Sequence, residues 1–241
     1  MKPALPICRL AMLLCSVALT LTVRAETVDL SAHVKLATGR GANHSSQRSS
    51  GDVVAWLTPI REAENISAAR APQRYTLAQK DKQFIPHILV VPTGSSVDFP
   101  NLDPFYHNVF SLFNGKRFDL GLYEAHTNRA VRFDRDGVSY IFCNIHPEMG
   151  AVVISLSTPY FGVSTPDGNL AIHAVPSGSY RLNIWAENVP ADRLNALSRV
   201  VEISSSNTQL GNFELQASGD IMTHHQNKFG ENYTPDPKNP Y

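Results

Sequence analysis
Apolar and polar positions alternate with a spacing of two along most of the chain. Short β-branched runs recur about every 8 to 12 residues, with Gly, Pro, Asn and Asp between them. They predict strands over 27–36, 52–57, 75–78, 85–91, 96–99, 108–112, 130–133, 139–143 and 151–156. Further strands are predicted over 162–164, 170–174, 180–185, 199–203 and 212–215. One short helix is predicted over 60–71. So many short strands predict an all-β fold of sandwiches or barrels. The segment 39–51 is polar and rich in Gly and Ser, so it reads as a loop. Near residue 218 the rhythm stops, and 218–241 reads as an extended or disordered tail ending in a Pro-rich stretch.

The N-terminus changes the picture. Lys2 and Arg9 precede an apolar run over 10–23, with Val23 and Ala25 at the −3 and −1 positions of a cleavage site. Residues 1–25 therefore read as a secretory signal, and the run is too short for a membrane span. The expectation is a periplasmic protein with no transmembrane anchor in the mature chain. The full chain carries 21 basic and 21 acidic residues. Three bases leave with the signal, so the mature chain is slightly acidic and offers no basic face for nucleic acid. Cys8 and Cys15 leave as well. Cys143 then stands alone in an oxidising compartment, where a thiol without a disulfide partner is a liability unless buried or ligated.

Around that cysteine lies the candidate chemistry. Cys143-Asn144-Ile145-His146-Pro147-Glu148-Met149 follows an apolar strand, and Tyr106-His107-Asn108 lies upstream. One thiolate, two imidazoles and a thioether suit both oxidation states of a single copper ion, so little rearranges on electron transfer. Cys143, His146 and Met149 fit on one tight loop that Pro147 stiffens by fixing φ. His107 has to come from a neighbouring strand.

These residues carry a resemblance. The runs 82–91 and 94–99, with Asn101, His107-Asn108-Val109-Phe110, Gly137, Tyr140, Phe142-Cys143 and His146-Pro147-Glu148-Met149, are similar to the cupredoxin family. The short C-x2-H-x2-M loop is nearest its amicyanin branch. The resemblance covers roughly 75–155 and implies a Greek-key β-sandwich holding one mononuclear copper. It implies His107, Cys143 and His146 as ligands and Met149 as a weak axial ligand. Asn108, Pro147 and Phe142 are expected around the ligands, with Asn108 hydrogen bonding between the ligand loops. His146 is expected as the partly exposed edge where electrons pass, within a weak docking patch that includes Ile145 and Pro147. In three places the chain departs from the family. Residues 114–128 align with no family segment, Phe99 stands where Trp is common, and Glu148 beside Met149 is a competing oxygen donor.

The flanks resemble a different family. Residues 27–59, the turns Asp167-Gly168 and Ser177-Gly178, and Leu182-Asn183-Ile184-Trp185 look like a transthyretin-like or carboxypeptidase-regulatory-like sandwich. The expected organisation is a signal (1–25), first strands of an outer sandwich (26–60), an inserted cupredoxin domain (72–157), the remaining outer strands (158–217) and a tail (218–241). Two-part proteins of this kind often carry a methylamine-utilisation label. Trp56 and Trp185 are expected to fill the outer core, and His33, His44, His87, His126, His173 and His224-His225 to be structural or solvated. No second metal constellation and no nucleophile–base pair is visible, so no enzyme is expected. The leading expectation is an electron carrier meeting a periplasmic redox protein or dehydrogenase transiently. The alternatives are a copper-binding or delivery protein without a redox partner, and a ligand-binding β-sandwich module.

Overall fold
The computed structural model describes residues 26–38, 50–60, 71–112, 115–218 and 226–233. The signal segment, most of the expected 60–71 helix, most of the 39–51 loop and His224-His225 lie outside the described residues. Strands β1 (Thr27–Thr38) and β2 (Val54–Pro59) come first. Ten follow: β3 (Arg74–Thr76), β4 (Ala78–Lys80), β5 (Gln83–Ile85), β6 (Ile88–Pro92), β7 (Ser96–Pro100), β8 (His107–Ser111), β9 (Phe118–Tyr123), β10 (Asn128–Arg132), β11 (Gly137–Phe142) and β12 (Gly150–Leu156). The rest are β13 (Phe161–Val163), β14 (Asn169–Pro176), β15 (Gly178–Trp185), a short helix α1 (Ala191–Leu197), β16 (Arg199–Ile203) and β17 (Gln209–Ala217).

The first two strands pair with the last five. β1 lies between β14 and β17, and β2 lies between β13 and β15 in the sheet β13-β2-β15-β16. Along β1, Leu30, Ala32 and Val34 point inward, while His33 and Lys35 face solvent. They meet Ala55 and Leu57 of β2, Leu182 and Ile184 of β15, and Phe213 and Leu215 of β17 in one core. β13 joins the two sheets at close quarters. A Cβ at Gly162 would overlap the carbonyl of Ala171, so only glycine lets β13 approach β14 there.

The ten strands between build a second sandwich. Its sheets are β10-β7-β3 and β6-β12-β11-β8-β9, with β4 and β5 as a small hairpin. Val97 and Phe99 of β7, Val109 of β8, Ile141 of β11 and Val153 of β12 fill its interior, together with Cys143 and Met149.

Strands β6, β8, β11 and β12 of the five-stranded sheet are covered on both faces. Residues 151–156 of β12 are all buried. Val153 looks into the second sandwich, whereas Val152 and Ile154 look out of it. Those outward residues, with Phe110 and Phe142, pack against Val54 of β2 and Trp185 of β15 in a third cluster between the sandwiches. A strand buried on both faces reads as a continuous apolar run, and Ala151-Val152-Val153-Ile154 is such a run. Both tryptophans belong to this junction rather than to the outer core: Trp185 is buried in it and Trp56 packs against it. His87 clasps the same junction. One ring nitrogen lies 2.8 Å from Glu187 and the other 3.1 Å from the carbonyl of Gly150.

Two elements lack a sequence signal. β9 is a sheet edge whose only fully buried side chain is Tyr123, so its apolar alternation is weak. Helix α1 buries none of its residues, so it has no apolar stripe to read.

Candidate metal centre
Cys143 comes directly after β11, and His107 opens β8. β8 runs antiparallel to β11 with Phe110 opposite Phe142, which brings the start of one strand beside the end of the other. Strand alternation sets the facing. Ile141 and Cys143 point into the second sandwich, and Phe142 between them points into the junction. Phe142 was expected near the ligands and lies on the opposite side of the sheet.

The chain then turns back. The Met149 amide donates to the His146 carbonyl at 3.1 Å, and the Cys143 amide to the Met149 carbonyl at 3.3 Å. This closed loop places the His146 ring against the His107 ring, centroids 4.9 Å apart. Cys143 Sγ lies 3.8 Å from His107 Nδ1 and 3.6 Å from His146 Nδ1, and the two nitrogens are 3.2 Å apart. All three residues are buried, and among the described residues they form a single group of metal-capable side chains. A point equidistant from the three atoms lies about 2.1 Å from each. That is the bond length of roughly 2.0–2.3 Å that imidazole and thiolate make to a d-block ion, so the donor set fits one ion in trigonal coordination. Met149 is fully buried in the same core as Cys143.

His107 is oriented by a residue that the sequence does not point to. Its Nε2 lies 2.8 Å from Asp103 Oδ2, which leaves Nδ1 facing the sulfur. Asp103 also accepts from the Asp81 and Lys82 amides at 2.7 and 3.0 Å. Burial raises the Asp103 carboxyl, but the hydrogen bonds from His107, Lys82 and Asp81 outweigh it and the net shift is downward. Burial pushes His107 down. The pair therefore holds a carboxylate and a neutral imidazole whose Nε2–H donates, the tautomer that a metal-binding Nδ1 needs. The only sequence clue would have been the requirement that a buried ligand histidine find an acceptor for its second nitrogen.

His146 has been pushed further. Burial first, then the charge of His107, lowers it to about 4. It was expected at a partly exposed edge, and it is only 4% exposed. Phe105 packs against both imidazoles, its ring edge-on to His107 with centroids 5.2 Å apart and tilted to His146 at 5.7 Å. Asn101 holds that segment in place, donating to the Phe105 carbonyl at 2.7 Å and accepting from the Asp103 amide. His146 Nε2 is buried without a hydrogen-bond partner.

The sulfur sits in an opposed environment. Burial raises the Cys143 thiol, hydrogen bonds from the backbone amides of Asn108, Ile145 and His146 offset part of that, and the net shift is upward. Asn108 thus reaches the ligand loop through its backbone. Its side chain was expected to bond between the ligand loops, and it turns instead to Asp119 of β9 at 2.8 Å. Of the expected docking patch, Pro147 is exposed and Ile145 is half-buried against the core. Glu148 is exposed and stands outside the His–Cys–His group.

The tail also differs from expectation. Residues 226–233 are folded onto the ligand loop. The Lys228 amide donates to Asn144 Oδ1 at 2.9 Å, and the Tyr233 hydroxyl to the Cys143 carbonyl at 2.7 Å.

No protein-family model matches the chain, and comparison with curated proteins finds no match. Solved structures give partial likenesses. A purple cupredoxin from Nitrosopumilus maritimus is 22% identical over 35% of this chain and 99% of its own, with a TM-score of 0.31. The Cu-containing nitrite reductase of Thermus scotoductus SA-01 is 21% identical over 41% of this chain, with a TM-score of 0.34, and the match spans a quarter of that enzyme. A Cu(I) amicyanin mutant is 17% identical over 42% of this chain and 98% of its own, with a TM-score of 0.33. Among the described residues no helix is long and apolar enough to cross a membrane.

Proposed function
We propose that the chain is a mononuclear copper protein of the cupredoxin kind that carries single electrons between partners in the periplasm. The observation that carries this reading is the trigonal meeting of Cys143 Sγ with the Nδ1 atoms of His107 and His146, with Met149 buried beside them. Two imidazoles and a thiolate in one plane with a long thioether are the donor set of blue-copper sites. Copper bound there would supply a reversible one-electron couple.

The protein's part is to keep the donors still. Asp103 locks His107 in one tautomer. Three backbone amides stabilise the thiolate form of Cys143. The hydrogen bonds from the Cys143 amide to the Met149 carbonyl and from the Met149 amide to the His146 carbonyl close the loop. Phe105 packs against both imidazole rings. A site held this way has little to reorganise when its charge changes. The proposed partner is a periplasmic redox protein or dehydrogenase met transiently, and the chain itself is proposed to catalyse no reaction. The strands β1, β2 and β13–β17 are proposed to be a transthyretin-like scaffold into which the copper sandwich is inserted.

One observation favours a second reading, copper retention without electron exchange: neither histidine ring is open to a partner. The absorption spectrum of copper-loaded protein, followed by voltammetry, decides. The expected result is an intense thiolate-to-copper band lost in Cys143→Ser, with a reversible couple in the unmodified protein. A band that survives in Cys143→Ser overturns the copper assignment. A band with irreversible electrochemistry supports retention instead.

A further inference from the structure
The segment 226–233 follows a stretch where the apolar rhythm has already ended, yet it is built rather than trailing. Asn227 organises it: its side-chain oxygen accepts from the Phe229 and Glu231 amides at 2.9 and 3.0 Å, and its own amide donates to the Glu231 carbonyl at 2.9 Å. The turn so formed presents three donors, and all three go to the metal centre or its support. The Tyr233 hydroxyl reaches the carbonyl of Cys143 at 2.7 Å. The Lys228 amide reaches Asn144, the next residue of the ligand loop, at 2.9 Å. Lys228 Nζ reaches Asp119 Oδ2 at 2.7 Å. The other oxygen of Asp119 accepts from the Asn108 side chain and from the Gly121 amide, both at 2.8 Å. Asn108 in turn gives its backbone amide to Cys143 Sγ.

Two chains of hydrogen bonds therefore run from this segment to one residue. One ends on the Cys143 carbonyl. The other passes through Asp119 and Asn108 to the Cys143 sulfur. The Lys228–Asp119 ion pair alone is partly exposed and counts for little. Its place in a connected network is what gives it leverage.

We propose that Tyr233 and Lys228 are positioning residues of the metal centre, acting on the cysteine ligand from its main-chain side and through Asn108. The proposal rests on the copper reading above. A hydrogen bond into the carbonyl of a ligating cysteine draws electron density from the thiolate, and a fixed amide on the sulfur does the same. Both favour the reduced ion, since hydrogen bonding around the cysteine sulfur tunes the potential of such sites. Holding Cys143 and Asn144 also slows the opening of the loop that copper release requires.

The test uses the full-length protein with Tyr233→Phe, which keeps the ring and removes only the hydroxyl, and Lys228→Met, which keeps the stem and removes the charge. Each should lower the reduction potential and speed copper loss to a chelator by roughly three- to tenfold, the worth of one net hydrogen bond. The double variant should lose more than either. In metal-free protein, hydrogen exchange at the Cys143 and Met149 amides should quicken in both variants, while exchange in β1 stays unchanged. Unmodified protein without a thiolate band would overturn the copper reading, and loop exchange would still judge the positioning role. A normal band in unmodified protein, with potential, copper loss and loop exchange all unmoved in the double variant, would overturn the role of Tyr233 and Lys228.

Discussion

Asp103 and His107 meet at 2.8 Å with neither side chain more than 6% exposed. Such a contact fixes a ligand's orientation more than it stabilises the fold. Loss of a carboxylate behind a metal-bound histidine typically costs 10–100-fold in affinity. Asp103→Ala should weaken copper binding by about that much in competition with a chelator, while the thiolate band of the loaded fraction persists. Affinity equal to that of the unmodified protein would mean that the pair is incidental to the centre.

Met149 is fully buried in the same core as Cys143. A long axial thioether tunes a copper site more than it holds the ion. Met149→Leu should keep the metal and the band and raise the reduction potential, since a donor that favours the oxidised ion is lost. Complete metal loss would make Met149 a primary ligand.

Acid should destabilise the metal-free protein in a defined window. His146 titrates near 4 when folded, held down by burial and by the charge of His107, against about 6.5 in an unfolded chain. As pH falls, the unfolded chain takes up that proton first. The contribution is therefore complete above about pH 6.5 and lost between 6.5 and about 4. His107, lowered chiefly by burial, acts in the same direction. His87 acts oppositely: its hydrogen bond to Glu187 raises it, so it helps most below about 6.5 and fades as pH rises past its folded value. The Tm of metal-free protein should fall from pH 6.5 to 4, less steeply in His146→Asn, whereas His87→Asn should keep the unmodified slope in that window and recover its Tm deficit only as pH rises above about 6.5. A slope in His146→Asn equal to that of the unmodified protein would contradict this assignment.

Phe142 adjoins Cys143 in sequence and faces away from it. It is fully buried among Phe110, Val152, Ile154 and Trp185. Phe142→Ala should cost about 3–5 kcal/mol in chemical denaturation and leave the copper spectrum in place. A spectrum altered as strongly as the stability would show that the two faces of the sheet are not independent.

The sequence made the ligand loop readable because its chemistry is local. Cys143, His146 and Met149 lie within seven residues, and the strand before them alternates plainly. The same alternation would have placed Phe142 on the far face, since Ile141 and Cys143 share the near one. Asp103 and Phe105 were not readable, because a loop residue's contact with a histidine is set by backbone turns that periodicity does not encode. β9 left no signal because an edge strand can afford polar positions. Gln226–Tyr233 was read as tail because its anchoring is polar: Lys228 and Tyr233 bind through hydrogen bonds, and Phe229 is left 70% exposed.

The strands β6, β12, β11 and β8 are covered on both faces. Any attempt to isolate the metal-binding half by cutting at its sequence boundaries would lay bare Phe110, Phe142, Val152 and Ile154 as one contiguous greasy wall. Such a fragment should self-associate or precipitate even with its ligand loop intact. Solubilising it would require repainting that wall with polar residues, whereas point changes around the copper ligands would leave the difficulty untouched.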